Sequence, residues 1–129
     1  MMLTLYFDRN VGKQFPFAVS RLKPPFEVRW HQGERFRQDM PDDEWLAEVS
    51  NRGWVVVSQD RKFHILPNEL EAIRSNNGRC FYFPCASEVR WITMRNLIRV
   101  EKKLRYICNS VTGPFIYDLR STGQLSRVH

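Results

Sequence analysis

The chain has 129 residues, of which 43% are hydrophobic, 26% charged and 13% aromatic; this fits one globular domain with its own core and excludes a disordered chain. Lys and Arg outnumber Asp and Glu by 20 to 14, a net charge of +6, which favours a polyanionic partner such as nucleic acid. No apolar run approaches the roughly 20 residues that would span a membrane, and the stretch from Met1 to Phe7 lacks the pattern of a secretion signal, so no membrane role is expected and the expected location is the cytoplasm.

The first element is a buried strand, Leu3 to Phe7, an apolar run. Gly12 to Leu22 is predicted helical, and Lys23-Pro24-Pro25 stops it. Phe26 to Trp30 alternates as a second strand, followed by the polar, irregular stretch His31 to Asp39. Pro41 opens a helix running to about Arg52, and Gly53 ends it. Trp54 to Ser58, WVVVS, reads as a strand buried on both faces. A helix from Pro67 or Asn68 to Asn77-Gly78 and a fourth strand, Cys80 to Pro84, come next.

The longest helix is predicted from Ser87 to about Cys108. Trp91, Met94 and Ile98 form one apolar face; Leu97, Val100, Leu104 and Ile107 form another. One face suits the core and the other a partner subunit, a homodimer through the 87–108 helix. Arg95, Arg99, Lys102 and Lys103 take a remaining side. From Ser87 to His129 eight Lys and Arg stand against three acids. Gly113-Pro114 then introduces Phe115 to Leu119, and Ser121 to Gly123 turns the chain into a last short segment. Strands alternating with helices predict a three-layer α/β/α domain over residues 1–129, with a central, mainly parallel sheet of four to five strands. Cys80, Cys85 and Cys108 show no C-x-x-C spacing, so no zinc site is expected, and Cys80 is expected in the core.

In such sheets ligands bind beyond the carboxyl ends of the strands. Asp8 follows the first strand and Asp60 follows the third by two residues, so both fall at that edge. Of the acids opening the Pro41 helix, Asp42 falls on the face that Trp45, Leu46 and Val49 bury. Asp43 lies at its margin and Glu44 points nearly the opposite way. Asp42 is therefore the acid aimed at Asp8 and Asp60. Converging carboxylates repel each other unless protons or a cation neutralise them, and hard oxygen donors favour Mg²⁺ or Mn²⁺. A cation held in this way suits phosphodiester hydrolysis. Arg9, Asn10, Lys13, Ser58, Arg61 and Lys62 surround these acids and are candidate contacts to a substrate backbone.

Several segments resemble one family. They are Phe7-Asp8-Arg9-Asn10, Asp42-Asp43-Glu44-Trp45-Leu46, Arg52 to Asp60 (RGWVVVSQD), Pro67 to Arg74, Arg95-Asn96-Leu97 and Gly113 to Tyr117. In this order they resemble the PIN-like domains, specifically the compact VapC-type toxin-like group. The resemblance implies a PIN-like α/β fold, a carboxylate-bound Mg²⁺ or Mn²⁺, and endonucleolytic cleavage of RNA. It puts the three acids at Asp8, Asp42 and Asp60, with Ser58 as the small hydroxyl residue two before the last. Glu44 is a second-choice metal ligand. It also implies an antitoxin partner and homodimers. Where many such nucleases carry a fourth acid shortly after the third, Arg61-Lys62-Phe63-His64 supplies none.

His31 and His64 fall in no metal-ligand spacing and are expected at the surface or behind the site. Trp45 and Trp54 are expected in the core. Two other readings compete with the ribonuclease: a catalytically degenerate binding module for nucleic acid or protein, and a nuclease acting on DNA.

Overall fold

The computed structural model describes residues 2–34, 36–83, 90–120 and 123–129. The elements follow the expected order: β1 (Thr4–Phe7), α1 (Gln14–Arg21), β2 (Glu27–Trp30), α2 (Asp42–Asn51), β3 (Val55–Ser58), α3 (Pro67–Ser75), β4 (Arg79–Tyr82), α4 (Arg90–Ser110), β5 (Phe115–Leu119) and β6 (Leu125–Arg127). They form one sheet in the order β2-β1-β3-β4-β5-β6. The first five strands are parallel, and β6 runs antiparallel to β5. The sheet therefore has six strands rather than the four to five expected, because the last short segment pairs back onto β5, Leu125 opposite Leu119.

Period two divides the strand residues between two cores. Leu5, Phe7, Val55, Val57, Phe81 and Phe115 face α1 and α4, where they meet Phe15, Val19, Leu97, Val100, Leu104 and Ile107. Tyr6, Val56, Cys80, Tyr82 and Ile116 face α2 and α3, where they meet Trp45, Leu46, Val49, Phe63 and Ile73. Val55, Val56 and Val57 are wholly buried because helices cover both faces. The architecture is the three-layer α/β/α expected.

Local chemistry sets the helix ends. Gly12 has φ +85°, a left-handed value that keeps it out of α1, so the helix starts two residues later than predicted. Pro16 sits in the first turn, where its missing N–H removes no helical hydrogen bond. The predicted start of α4 at Ser87 and the predicted end of β4 at Pro84 lie outside the described residues, as does Cys85. Cys80 is buried as expected, and burial pushes its thiol pKa up.

The two predicted faces of α4 part as expected. Leu97, Val100, Leu104 and Ile107 are buried, whereas Trp91 is 80% and Ile98 66% exposed, with Met94 half-buried between them. Arg95, Arg99, Lys102 and Lys103 are exposed. Among the described residues no helix is long and apolar enough to cross a membrane.

Gly78, after α3, is a tight contact. A Cβ there would fall 2.8 Å from Ser50 Oγ and 3.1 Å from the backbone Cα of Ile73. Gly78→Ala is therefore expected to destabilise the fold by about 1–3 kcal/mol through overpacking, read from the midpoint of urea denaturation. An unchanged midpoint would mean that α3 does not pack this closely on β4.

Candidate active site

On the side of the sheet facing α2 and α3, the same alternation that buries Tyr6, Val56, Cys80 and Ile116 puts a polar residue two positions further on in each chain segment: Asp8, Ser58, Tyr82 and Asp118. Ser58, Tyr82 and Asp118 are in direct cross-strand register. The carboxyl edge of the four central strands thus carries a row of polar groups.

Asp8 continues β1 by donating its backbone N–H to Val57 O, 3.0 Å. Its side chain caps the short 3-10 turn Arg9–Val11, accepting from Asn10 N at 3.4 Å. Its other oxygen accepts from Ser58 Oγ at 2.7 Å. The residue is 3% exposed. Burial raises its pKa to about 6, and the hydrogen bonds from Ser58 and Asn10 offset only part of that. Ser58 Oγ in turn accepts from Asp60 N at 3.0 Å. One buried hydroxyl therefore ties the strand-end acid to the loop that carries the next acid. Asp60 Oδ2 pairs with Lys62 Nζ at 3.1 Å, and this contact holds the Lys62 pKa above its ordinary value.

Asp42 opens α2 and faces inward one turn before Trp45 and Leu46, as the helical period predicts. Its Oδ1 accepts from Trp45 Nε1 at 2.9 Å and from Arg9 Nη2 at 2.7 Å. Arg9 Nη1 also donates to Gln38 O at 2.7 Å and Met40 O at 2.8 Å. The guanidinium thereby fastens the entry of α2 to the end of β1, and Asp42 lies near enough to raise the Asp8 pKa.

Two histidines stand behind and beside these acids. His31 is wholly buried, not at the surface. Its Nε2 donates to Arg37 O at 3.1 Å and its Nδ1 accepts from Tyr6 OH at 2.8 Å, with Phe36 and Trp45 against the ring. Burial lowers its pKa and keeps it neutral. His64 is half-buried. Its backbone N–H donates to Tyr82 OH at 3.2 Å, and the phenol donates to its Nδ1 at 2.9 Å.

The expected site is thus brought together in part. Asp8, Asp42 and Asp60 share one edge of the sheet, but they do not form the expected cage. Among the described residues no three His, Cys, Asp or Glu side chains gather into a group that could hold a metal; Asp42 and Asp60 are engaged by Arg9 and Lys62. Glu44 is exposed and pairs with Arg37 at 3.3 Å, on the far side of α2, so the second-choice ligand is not delivered to the site.

Four of the six expected substrate contacts are committed inside the protein. Ser58 is wholly buried against Asp8. Arg9 is bound to Asp42. Arg61 donates to Asp118 Oδ1 at 2.9 Å and Leu119 O at 3.2 Å. Lys62 holds Asp60. Asn10 and Lys13 remain exposed, with Asn10 Oδ1 accepting from Gln59 N at 3.5 Å. Asp118 was missed by sequence reasoning. Its signal was present in FIYDL, where it alternates with the buried Ile116, but only the parallel register places it beside Tyr82.

Carboxylates are the donor type a hard divalent cation takes, but among the described residues Asp8, Asp42 and Asp60 are not gathered into a group that could hold one. Asp8 is a carboxylate that burial penalises, and among the described residues its two oxygens meet one hydroxyl and one backbone N–H.

No curated protein and no solved structure matches the chain. A family model described as a PIN-like domain matches residues 3–85, more than half of the chain, from β1 through β4. That span carries Asp8, Asp42 and Asp60 on the strand-and-helix frame just described, and the chain belongs to the PIN-like domain family.

Proposed function

We propose that the chain is a metal-dependent endoribonuclease that hydrolyses RNA phosphodiesters, residues 1–129 acting as one nuclease domain, and that it is the toxin of a toxin–antitoxin pair. Membership of the PIN-like family supports a nuclease-type hydrolysis. The observation that carries the finer reading is Asp8: a buried acid at the carboxyl edge of the sheet, flanked by two more acids. Mg²⁺ or Mn²⁺ bound there would polarise the phosphoryl oxygen and lower the pKa of the attacking water. The chain's own residues prepare the place. Ser58 orients Asp8, Arg9 and Trp45 orient Asp42, and the exposed Lys13 and Asn10 offer contacts to the RNA backbone. The exposed stripe of Trp91 and Ile98 supports a protein partner on α4, an antitoxin or a second copy.

Thermal denaturation with MnCl₂ tests the cation directly. At a hundred times its Kd, a ligand that binds only the folded chain adds about 2.7 kcal/mol of stability. Cleavage of single-stranded RNA is expected, with single- and double-stranded DNA left intact. The ion pairs that hold Asp42 and Asp60 favour a second reading, a degenerate binding module. An unchanged melting curve with MnCl₂, together with uncut RNA, would establish that second reading.

A further inference from the structure

We propose that the groove between α1 and α4 docks an acidic amphipathic helix of a second, different protein. The inference rests on the reading of α4 as a partner surface and narrows it. It concerns the side of the sheet opposite α2 and α3, and it does not depend on the nuclease reading.

The groove is continuous. One hollow of about 410 Å³ lies between Phe15, Ala18 and Leu22 on one side and Trp91 and Met94 on the other. Leu22 and Met94 also line a second hollow of about 230 Å³, which runs on to Pro24, Pro25 and Ile98. Both rims are unburied: Leu22 is 66% exposed, and it faces the exposed Trp91 and Ile98 across the groove. Single apolar side chains are ordinary on a surface, whereas a contiguous patch of them marks a place where another molecule packs.

The shape selects a helix. Trp91, Met94 and Ile98 are three and four residues apart, so they form one ridge about two turns long. The walls are side chains of two helices, whose backbone groups pair within those helices. An extended chain laid there would turn its own polar backbone groups toward apolar side chains. A helix satisfies those groups internally and offers side chains at i, i+3 or i+4 and i+7 to the groove.

Charge selects the partner. Residues 11–26 and 90–100, the two segments that make the walls, contain Lys13, Arg21, Lys23, Arg90, Arg95 and Arg99 and no Asp or Glu. All six are exposed, and among the described residues none of them is in an ion pair. Arg9, Arg29, Arg37, Arg52, Arg61 and Lys62, by contrast, each pair with a carboxylate. The carboxylate that lines the second hollow, Glu101, is paired with Arg105 at 2.5 Å. A second copy would bring these cations against themselves, because a two-fold interface is self-complementary and like charges across it repel. Single-stranded RNA would match the charge and stack on Trp91. Ala18, Leu22, Pro24, Pro25, Met94 and Ile98, however, offer its sugars and phosphates nothing polar. A helix with an apolar stripe and acidic flanks suits both the lining and the rim.

The test uses the full-length chain and two labelled helical peptides of about 18 residues, five turns. Both carry the same leucine stripe; one is filled out with glutamate and alanine, the other with lysine and alanine. Fluorescence anisotropy is expected to show binding of the glutamate peptide alone, weakened when NaCl rises from about 0.05 to about 0.5 M. Trp91→Ala and Ile98→Glu, both at exposed positions, are each expected to weaken it about thirtyfold. Arg21→Glu combined with Arg95→Glu is expected to weaken it about tenfold. Circular dichroism checks that each variant is folded. A lysine peptide that binds as tightly as the glutamate peptide would overturn the inference, and so would glutamate-peptide binding that Ile98→Glu leaves unchanged. Single-stranded RNA bound in place of the glutamate peptide and lost in Ile98→Glu would overturn it in favour of nucleic acid. A dimer in sedimentation equilibrium that Ile98→Glu dissociates would overturn it in favour of a second copy. None of these readouts involves cleavage or a metal, so the nuclease reading stands or falls separately.

Discussion

Asp8→Asn is expected to abolish nuclease activity and, at the same time, to make the folded chain more stable at neutral and alkaline pH. Burial holds the Asp8 pKa at about 6, against 3.8 for the free side chain. Between those values the folded chain binds more protons than the unfolded one, so the Asp8 contribution to stability falls as pH rises through that window. Below about pH 4 the acid is protonated in both states and contributes no penalty; above about pH 6 the penalty is complete. A shift of this size corresponds to about 3 kcal/mol. Asn carries no charge to bury and its carbonyl can still accept from Ser58. Urea denaturation should therefore give equal stabilities for wild type and variant near pH 4, and a more stable variant at pH 8. Cleavage should fall by about 10²- to 10⁴-fold, as for other catalytic groups. A variant less stable at pH 8 would show that the native carboxylate is stabilised and not penalised by its surroundings. Asp60→Asn should lose activity in the same way with little change in stability, since its partner is a half-exposed lysine whose ion pair contributes about 0–1 kcal/mol.

The largest loss of stability is expected at Trp45. Its side chain is wholly buried, with ring centroids 5.5 Å from Tyr6 and 5.8 Å from Phe63. Trp45→Ala removes that contact between α2 and the sheet and should cost about 3–5 kcal/mol. It also removes one of the two donors to Asp42 Oδ1. Trp45→Phe separates the two effects, since it keeps most of the packing and loses only the indole N–H. It should destabilise much less than Ala while still loosening Asp42, which cleavage rates would register. Chemical denaturation followed by circular dichroism checks both variants. A loss under about 1 kcal/mol for Trp45→Ala would contradict its place in the core.

The alternation of strands and helices was legible in the sequence because periods of two and about 3.6 show which residues face inward. The faces of α4 and the inward aim of Asp42 followed from the same arithmetic. What it left out is partnership. Arg9 and Asp42 are 33 positions apart, and Arg61 and Asp118 are 57 apart. A helical wheel gives the direction of a side chain but not what waits there. Arg9 and Arg61 therefore looked like free contacts for a substrate, and are bound to carboxylates instead. His31 was expected at the surface or behind the site, and the sequence did not choose between the two. Tyr6, Phe36 and Trp45 enclose it, and that enclosure exists only once β1 and α2 have packed. Asp118 was overlooked because its meaning depends on strand register.

The part of the chain that matches the family ends at residue 85, yet Phe81, Val57 and Leu5 are sealed by Leu97, Val100, Leu104, Phe115 and Leu119. A chain lacking α4 and β5 would leave that apolar flank of the sheet covered by α1 alone. A fragment cut at residue 85 would carry Asp8, Asp42 and Asp60 and still precipitate.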